Sequence, residues 1–253
     1  MTRMVSIYSA GAMLAAGLLA GCGQMQGETA AQAAEPTKQP AITGASPAHP
    51  VVVELFQSQG CSSCPPANAN INAIAGRPDV LALSFGVTYW DQLGWKDSFA
   101  SPRNTARQWE YARHAGRTQV ATPQVIINGG TAIVGSNRQQ LDQTILTAGP
   151  ARGGPTLAVE GATLRVGTAE TTAKSTVWLV RYDPRSVQVA IRAGENGGRT
   201  LPHRNIVRDL VKLGEWTGAA KALTIPSPAS SELASAILVQ QGAGGKITAA
   251  RKI

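Results

Sequence analysis

The chain reads as an α/β domain over residues 50–150, followed by a small antiparallel all-β domain, a sandwich or barrel, over 154–253. Three observations carry that reading. Apolar β-branched runs alternate with helical spacing up to about residue 148. A Cys-x-x-Cys pair stands where the first strand gives way to the first helix. From Pro155 onward the pattern changes to short strands separated by turn signals, with Gly153-Gly154-Pro155 as the boundary.

The elements follow in order. Val51 to Phe56 is a buried strand, broken at Gln57-Ser58-Gln59-Gly60. Cys61-Ser62-Ser63-Cys64-Pro65-Pro66 comes next. Ala67 to Ala75 has helical spacing with Ile71, Ile74 and Ala75 on one face, and Gly76 and Pro78 close it. Val80 to Val87 is a second apolar strand. Pro102 to Gly116 reads as a helix with Ala106, Trp109 and Ala112 inward. Thr122-Pro123 opens a third strand, Gln124 to Asn128, and Gly129-Gly130 turns it back into Thr131 to Val134. A last helix carries Leu141, Ile145 and Leu146 on its apolar face. The β half contains strands at 157–159, 164–166, 175–182, 187–191, 205–210, 236–239 and 246–249.

The first fifty residues read as address and tether. Arg3 precedes an uncharged stretch from Ala10 to Ala20 that ends in Leu19-Ala20-Gly21-Cys22. A run this short is a secretory signal and not a membrane span. Its ending resembles a lipobox, which implies a lipoprotein signal peptide over 1–22 with Cys22 lipidated; the alternative is ordinary cleavage elsewhere, leaving a stray thiol. Gly23, where an Asp would hold an enteric lipoprotein at the inner membrane, points to the outer membrane. Residues 23–49 are rich in Ala, Gln, Pro, Thr and Glu without apolar periodicity, so a flexible tether is expected. The implied location is the cell envelope, lipid-anchored on the periplasmic side.

Charge excludes little and favours little. The net charge is +8 over 253 residues. Basic and acidic residues nearly balance between 51 and 150, whereas basic residues outnumber acidic ones two to one from 151 onward. No basic cluster is interleaved with aromatics there, so a solvated basic surface is favoured over nucleic-acid binding.

The chemistry lies in the cysteines, Cys22, Cys61 and Cys64. Two intervening residues let the second sulfur reach the first across one helical turn. A helix N-terminus favours a thiolate, and a thiolate attacks disulfides. Cys61 is then the nucleophile and Cys64 the resolving thiol. Cys61 is expected to be the more exposed, with Cys64 turned toward the core. Pro65 and Pro66 lack N–H groups, fit only a first helical turn and are expected to delay the helix, which weakens acidification of Cys61. Two other readings stay open. The pair could be a structural disulfide pinning a turn, although so short a loop constrains little entropy. It could handle metal, although two ligands fall short of a zinc set, and the globular part has no methionine for Cu(I). No cofactor or metal is expected.

The order strand, Cys-x-x-Cys, helix, strand, helix, strand, strand, helix resembles the thioredoxin fold. By that resemblance Pro123 is a cis-proline facing the cysteines, and Thr122 presents backbone to a bound substrate. A closer resemblance rests on long stretches. These are Val53 to Ala67, Tyr89-Trp90-Asp91-Gln92-Leu93-Gly94-Trp95-Lys96-Asp97, Thr122-Pro123-Gln124, Glu195-Asn196 and Asn205 to Leu210. Together they resemble a family of secreted bacterial thioredoxin-like proteins catalogued as domain of unknown function 1223. Where relatives commonly carry His and Asp ahead of Tyr89-Trp90, this chain has Gly86 and Thr88. If those groups assist proton transfer, they are missing here.

The resemblance implies an envelope thiol–disulfide oxidoreductase acting on protein thiols or disulfides, with no nucleic acid. The competing reading is a non-catalytic lipoprotein binding module. Tyr89, Trp90 and Trp95 could form a substrate wall or lid, or simply pack a long loop. Glu195, Asn196, Arg199, His203, Asn205 and Arg208 crowd one polar segment; a turn satisfied by its own side chains is favoured over a ligand site.

Overall fold

A computed structural model describes residues 41–171 and 173–253. The expected signal peptide, Cys22 and most of the tether lie outside the described residues. The strands of the first half are β1 (Val51–Gln57), β2 (Val80–Gly86), β3 (Gln124–Ile127) and β4 (Thr131–Ile133), and its helices are α1 (Pro65–Ile74), α2 (Pro102–His114) and α3 (Arg138–Ala148). The second half adds β5 (Leu157–Glu160), β6 (Thr163–Val166), β7 (Ser175–Asp183), β8 (Val187–Ala190) and β9 (Thr200–His203). It ends with β10 (Ile206–Trp216), β11 (Lys221–Thr224), β12 (Ala234–Gln241) and β13 (Ile247–Lys252).

The fold is mixed α/β, built on one eight-stranded sheet in the order β13-β12-β7-β10-β2-β1-β3-β4. β1 pairs β2 in parallel over its full length and β3 antiparallel. A β5-β6-β11 sheet and a β8-β9 hairpin complete it. The expected separate sandwich or barrel is therefore not what forms. The sheet runs unbroken from β4 to β13, because β10 joins β2 at Ile206 and Ser84. Asn205 makes this seam. It sits at φ 50°, its carbonyl accepts the Ser84 N–H at 2.9 Å, and its Nδ2 donates to the carbonyls of Ala82 (2.7 Å) and Ala75 (3.2 Å). An Asn tolerates that left-handed geometry and supplies the bonds that a glycine would lack.

β1 is buried on both faces, as a strand inside such a sheet must be. Val51, Val53 and Leu55 pack with Ile71 and Ile74 of α1 and Leu141 and Ile145 of α3. Val52 and Phe56 point the other way, into a cluster with Leu83, Phe85 and Tyr111 that continues to Val180, Val207 and Leu238 of the second half. This shared core is why the two halves close on one another.

Three local expectations change. α2 does not bury Ala106, which is exposed; it buries Asn104, Arg107, Gln108, Tyr111 and Ala112. A polar face turns inward because Glu54 of β1 waits there: Arg107 Nε and Nη2 reach its carboxylate at 2.7 and 3.2 Å. On α3, Leu141 and Ile145 are buried but Leu146 is exposed. The end of the expected tether is packed, with Ile42 buried in the α1–α3 core. Lys252 N donates to Pro47 O at 2.8 Å, which ties this segment to β13.

Candidate functional site

β1 delivers the chain to a tight turn. Cys61 N donates to Ser58 O at 3.2 Å, and Cys64 N to Cys61 O at 3.2 Å. That turn brings the two cysteines to a Cα separation of 5.4 Å, and they form a disulfide. Cys64 caps α1, and Pro65 and Pro66 occupy its first two helical positions. The prolines do not delay the helix. They fit its first turn and remove two of the N–H groups that would face an anion at that end. Cys61 and Cys64 are 0% and 1% exposed. The expectation that Cys61 is the more open sulfur is not met in the disulfide form.

The Thr122–Pro123 bond is cis, as the resemblance to the thioredoxin fold implies. It brings the Thr122 carbonyl to 3.8 Å from Cys61 Sγ, and Ser63 Oγ donates to the same oxygen at 3.4 Å. Ser63 Oγ also lies 3.4 Å from Cys61 Sγ. The segment ahead of α2 braces both backbones. Trp90 Nε1 donates to Thr122 Oγ1 at 2.7 Å, and Trp95 Nε1 to Gln59 Oε1 at 2.9 Å. Tyr89 donates to Gln108 Oε1 at 3.2 Å, and Gln108 Nε2 holds the Ala121 carbonyl at 2.9 Å. The three aromatics, all half-buried, thus frame the disulfide through polar atoms and not only through ring packing.

Asp97 completes this frame. It is buried, and its carboxylate accepts the N–H of Gln59 at 2.8 Å and of Phe99 at 2.7 Å. Burial pushes its pKa up to about 6, against the pull of those donors toward the charged form. Gly86 and Thr88 stand on the neighbouring strand end. A Cβ on Gly86 would lie 2.8 Å from the Phe99 carbonyl, so no side chain fits there while Gly86 bridges Ala100. Thr88 is engaged with Thr105, the two hydroxyls 3.0 Å apart.

The second half contributes a clamp from the polar segment that the sequence reads as a turn satisfied by its own side chains. Asn196 is fully buried, and its Nδ2 donates to the carbonyls of Gln59 (2.9 Å) and Cys61 (2.8 Å). Its Oδ1 accepts from Arg199 Nη1 at 2.8 Å. Glu195 Oε2 accepts the Ser62 N–H at 3.0 Å, and these bonds to the Ser62 hydroxyl and amide lower its pKa. β9 lies on α1, where Asn68 and Asn72 both donate to Pro202 O at 2.8 Å. A cleft of about 380 Å³ opens beside Ser62 and Pro65, walled by Asn72, Leu201 and Pro202. The polar segment 195–205 thus keeps the Asn196–Arg199 bond within its own turn, while its other side-chain bonds named here reach residues some 130 positions away. The only local hint was a run of side chains rich in hydrogen-bonding groups with no apolar period. Such a run does not name its partner.

His203 belongs to this face too, but not as a ligand of the pair. It is buried edge-on to Phe99 with ring centroids 5.4 Å apart, neither ring nitrogen has a partner, and burial lowers its pKa to about 4. Arg208 sits over the same Phe99 ring at 4.6 Å. Among the described residues no three His, Cys, Asp or Glu side chains group as a metal site, and no helix is long and apolar enough to cross a membrane.

Comparison with known proteins extends this picture. The crystal structure of protein AGR_C_4864 from Agrobacterium tumefaciens is similar, with a TM-score of 0.66 and 29% identity, covering 85% of this chain and 96% of that one. HBP35 of Porphyromonas gingivalis is similar in fold alone, with a TM-score of 0.54 and 13% identity over 81% of this chain and 74% of that one. No curated protein matches in sequence. A family model does match, over residues 52–240, and it spans β1, the cysteine turn, the cis-proline and the Glu195-Asn196 clamp. The chain belongs to the family described as protein of unknown function, DUF1223.

Proposed function

We propose that the protein is a thioredoxin-like thiol–disulfide oxidoreductase of the cell envelope, acting on protein thiols or disulfides through Cys61 and Cys64. The observation that supports this best is the Thr122 backbone set against the Cys61–Cys64 disulfide at a strand-to-helix junction. A disulfide placed only to pin a turn has no need of a second backbone held against it.

In the reduced protein the Cys61 thiolate attacks one sulfur of a substrate disulfide. A mixed disulfide forms and the other substrate sulfur leaves as a thiolate. The Cys64 thiolate then attacks Cys61 Sγ, closes the Cys61–Cys64 bond and expels the second substrate thiolate. Two electrons pass to the substrate, and the protons lost by the two cysteines end on its thiols. A dithiol donor must reduce the pair again. Thr122 presents backbone to the substrate in this reading, and Tyr89, Trp90 and Trp95 wall its path. Cys22 carries lipid and anchors the chain on the periplasmic side, at the outer membrane by the Gly23 criterion.

A second reading, a non-catalytic lipoprotein module with a structural disulfide, draws support from the burial of both sulfurs. Insulin reduction by a dithiol donor separates the two. The wild-type protein should accelerate it and Cys61→Ser should not. Equal rates with either protein would refute the redox reading. For the anchor, Cys22→Ser should release the protein from membranes, and continued membrane fractionation would refute it.

A further inference from the structure

Thiolates at helix starts are usually stabilised by unpaired N–H groups. Around Cys61 several of those groups have been removed or taken. Pro65 and Pro66 have none to offer. The Cys64 N–H bonds the Cys61 carbonyl, and the Asn68 N–H bonds the Cys64 carbonyl. The Ser62 N–H, next in sequence to the sulfur-bearing residue, is held by the Glu195 carboxylate at 3.0 Å. The Thr122 carbonyl at 3.8 Å from Cys61 Sγ presents an acceptor, which suits a thiol and repels a thiolate. Of the other charges on this face, Arg199 is engaged with Asn196, and Asp97 accepts the Gln59 and Phe99 amides. Neither offers the sulfur a positive partner.

We propose that Glu195 is a positioning residue that sets the redox poise of the cysteine pair. By occupying the Ser62 N–H and placing a negative charge on the cysteine turn, it disfavours the Cys61 thiolate and biases the pair toward the disulfide. Asn196 holds the carboxylate in place through its own bonds to the same turn. The consequence is a direction. A dithiol whose thiolate is poorly stabilised gives up its electrons readily, so the pair acts as a reductant of substrate disulfides and not as a strong oxidant. It is regenerated by a protein dithiol of still lower potential. This inference rests on the redox reading for its biological meaning, but its physical content is separately measurable.

The experiment compares the full-length protein with Glu195→Gln, which keeps an acceptor and removes the charge, and with Glu195→Ala, which frees the N–H. Glu160→Gln serves as a surface control, since Glu160 is exposed and, among the described residues, paired with Arg165. Two quantities are read: the pH dependence of iodoacetamide alkylation at Cys61, mapped by mass, and the disulfide equilibrium with the glutathione redox couple. Glu195→Gln should raise the thiolate fraction at fixed acidic pH at least about threefold. It should also make the disulfide about three- to tenfold easier to reduce, the upper end corresponding to about 30 mV. Glu195→Ala should do at least as much, and the charge effect should shrink in high salt. Both variants within twofold of wild type, with unchanged melting, would overturn the proposal. Should Glu195→Ala not fold, Glu195→Gln decides alone. If the wild-type protein fails to reduce insulin yet Glu195→Gln still shifts alkylation, the redox reading falls while the electrostatic assignment stands.

Discussion

Arg107→Met is the most informative single perturbation of this fold. Arg107 and Glu54 have side chains 1% and 0% exposed and meet through two bonds, at 2.7 and 3.2 Å. Arg107 Nη1 also donates to Gln240 Oε1 at 3.0 Å, and its Nη2 to the Tyr111 hydroxyl at 3.0 Å. Tyr111 in turn donates to Glu54 through a short bond. The guanidinium lies 5.2 to 5.9 Å from the ring centres of Tyr111, Phe85 and Trp178. Burial opposes its charge, but Glu54 beside it holds its pKa above the ordinary value. Methionine fills much of the same volume and leaves the Glu54 carboxylate buried with no cation. Removing one partner of such a pair costs about 3–5 kcal/mol, which lowers Tm by about 10 °C for a protein of this size. Glu54→Leu combined with Arg107→Met should recover most of the stability, because a well-packed apolar pair replaces a buried ion pair at little cost. Urea unfolding of the wild type, Arg107→Met and the double variant at pH 7 is the assay. A single-variant loss under about 1 kcal/mol, or a double variant no more stable than Arg107→Met, would show that the network is not what joins β1, α2 and β12.

Other outcomes can be checked in the same way. His203 is buried and titrates at about 4, whereas an unfolded histidine binds a proton below about 6.5. Stability fully present above pH 6.5 is therefore lost as pH falls to about 4, by on the order of 3 kcal/mol; His203→Phe should remove that loss, and an unchanged acid slope would contradict it. Asp97 acts oppositely: its carboxyl, raised by burial to about 6, favours the folded state below pH 3.8, and that contribution disappears as pH rises to about 6. Asp97→Asn should flatten this second trend in urea midpoints between pH 4 and 6. Gly86→Ala should destabilise by about 1–3 kcal/mol because its Cβ meets the Phe99 backbone, and a neutral effect in thermal melts would mean the strand end shifts freely. Asn205→Ala should cost about 2–4 kcal/mol through two lost hydrogen bonds and a left-handed alanine. Asn205→Gly, relieved of the backbone strain, should lose less, and the reverse order would reject the seam argument.

What the sequence determined by itself was local. The run Val51 to Phe56 fits only a strand buried on both faces. The spacing of Cys61 and Cys64 sets their sulfurs within reach of one another, whereas the cis Thr122–Pro123 bond was implied only by the resemblance to the thioredoxin fold. The strand and the cysteine spacing follow from side-chain period and bond length over a few residues. Tertiary structure alone decided the rest. Strand pairing left β10 beside β2, so one sheet takes strands from both sides of the change of pattern at 153–155. α2 turned Arg107 inward and left Ala106 in solvent because a buried carboxylate on β1 demands a cation more than the core needs another methyl. Asn196 and Glu195 reached the cysteine turn from more than 130 residues away. Periodicity reports which face of an element is buried, but only closure of the whole chain decides which donor meets which acceptor. The composition of the cysteine site was therefore half visible in the residues around Cys61, and its electrostatics came from the other end of the protein.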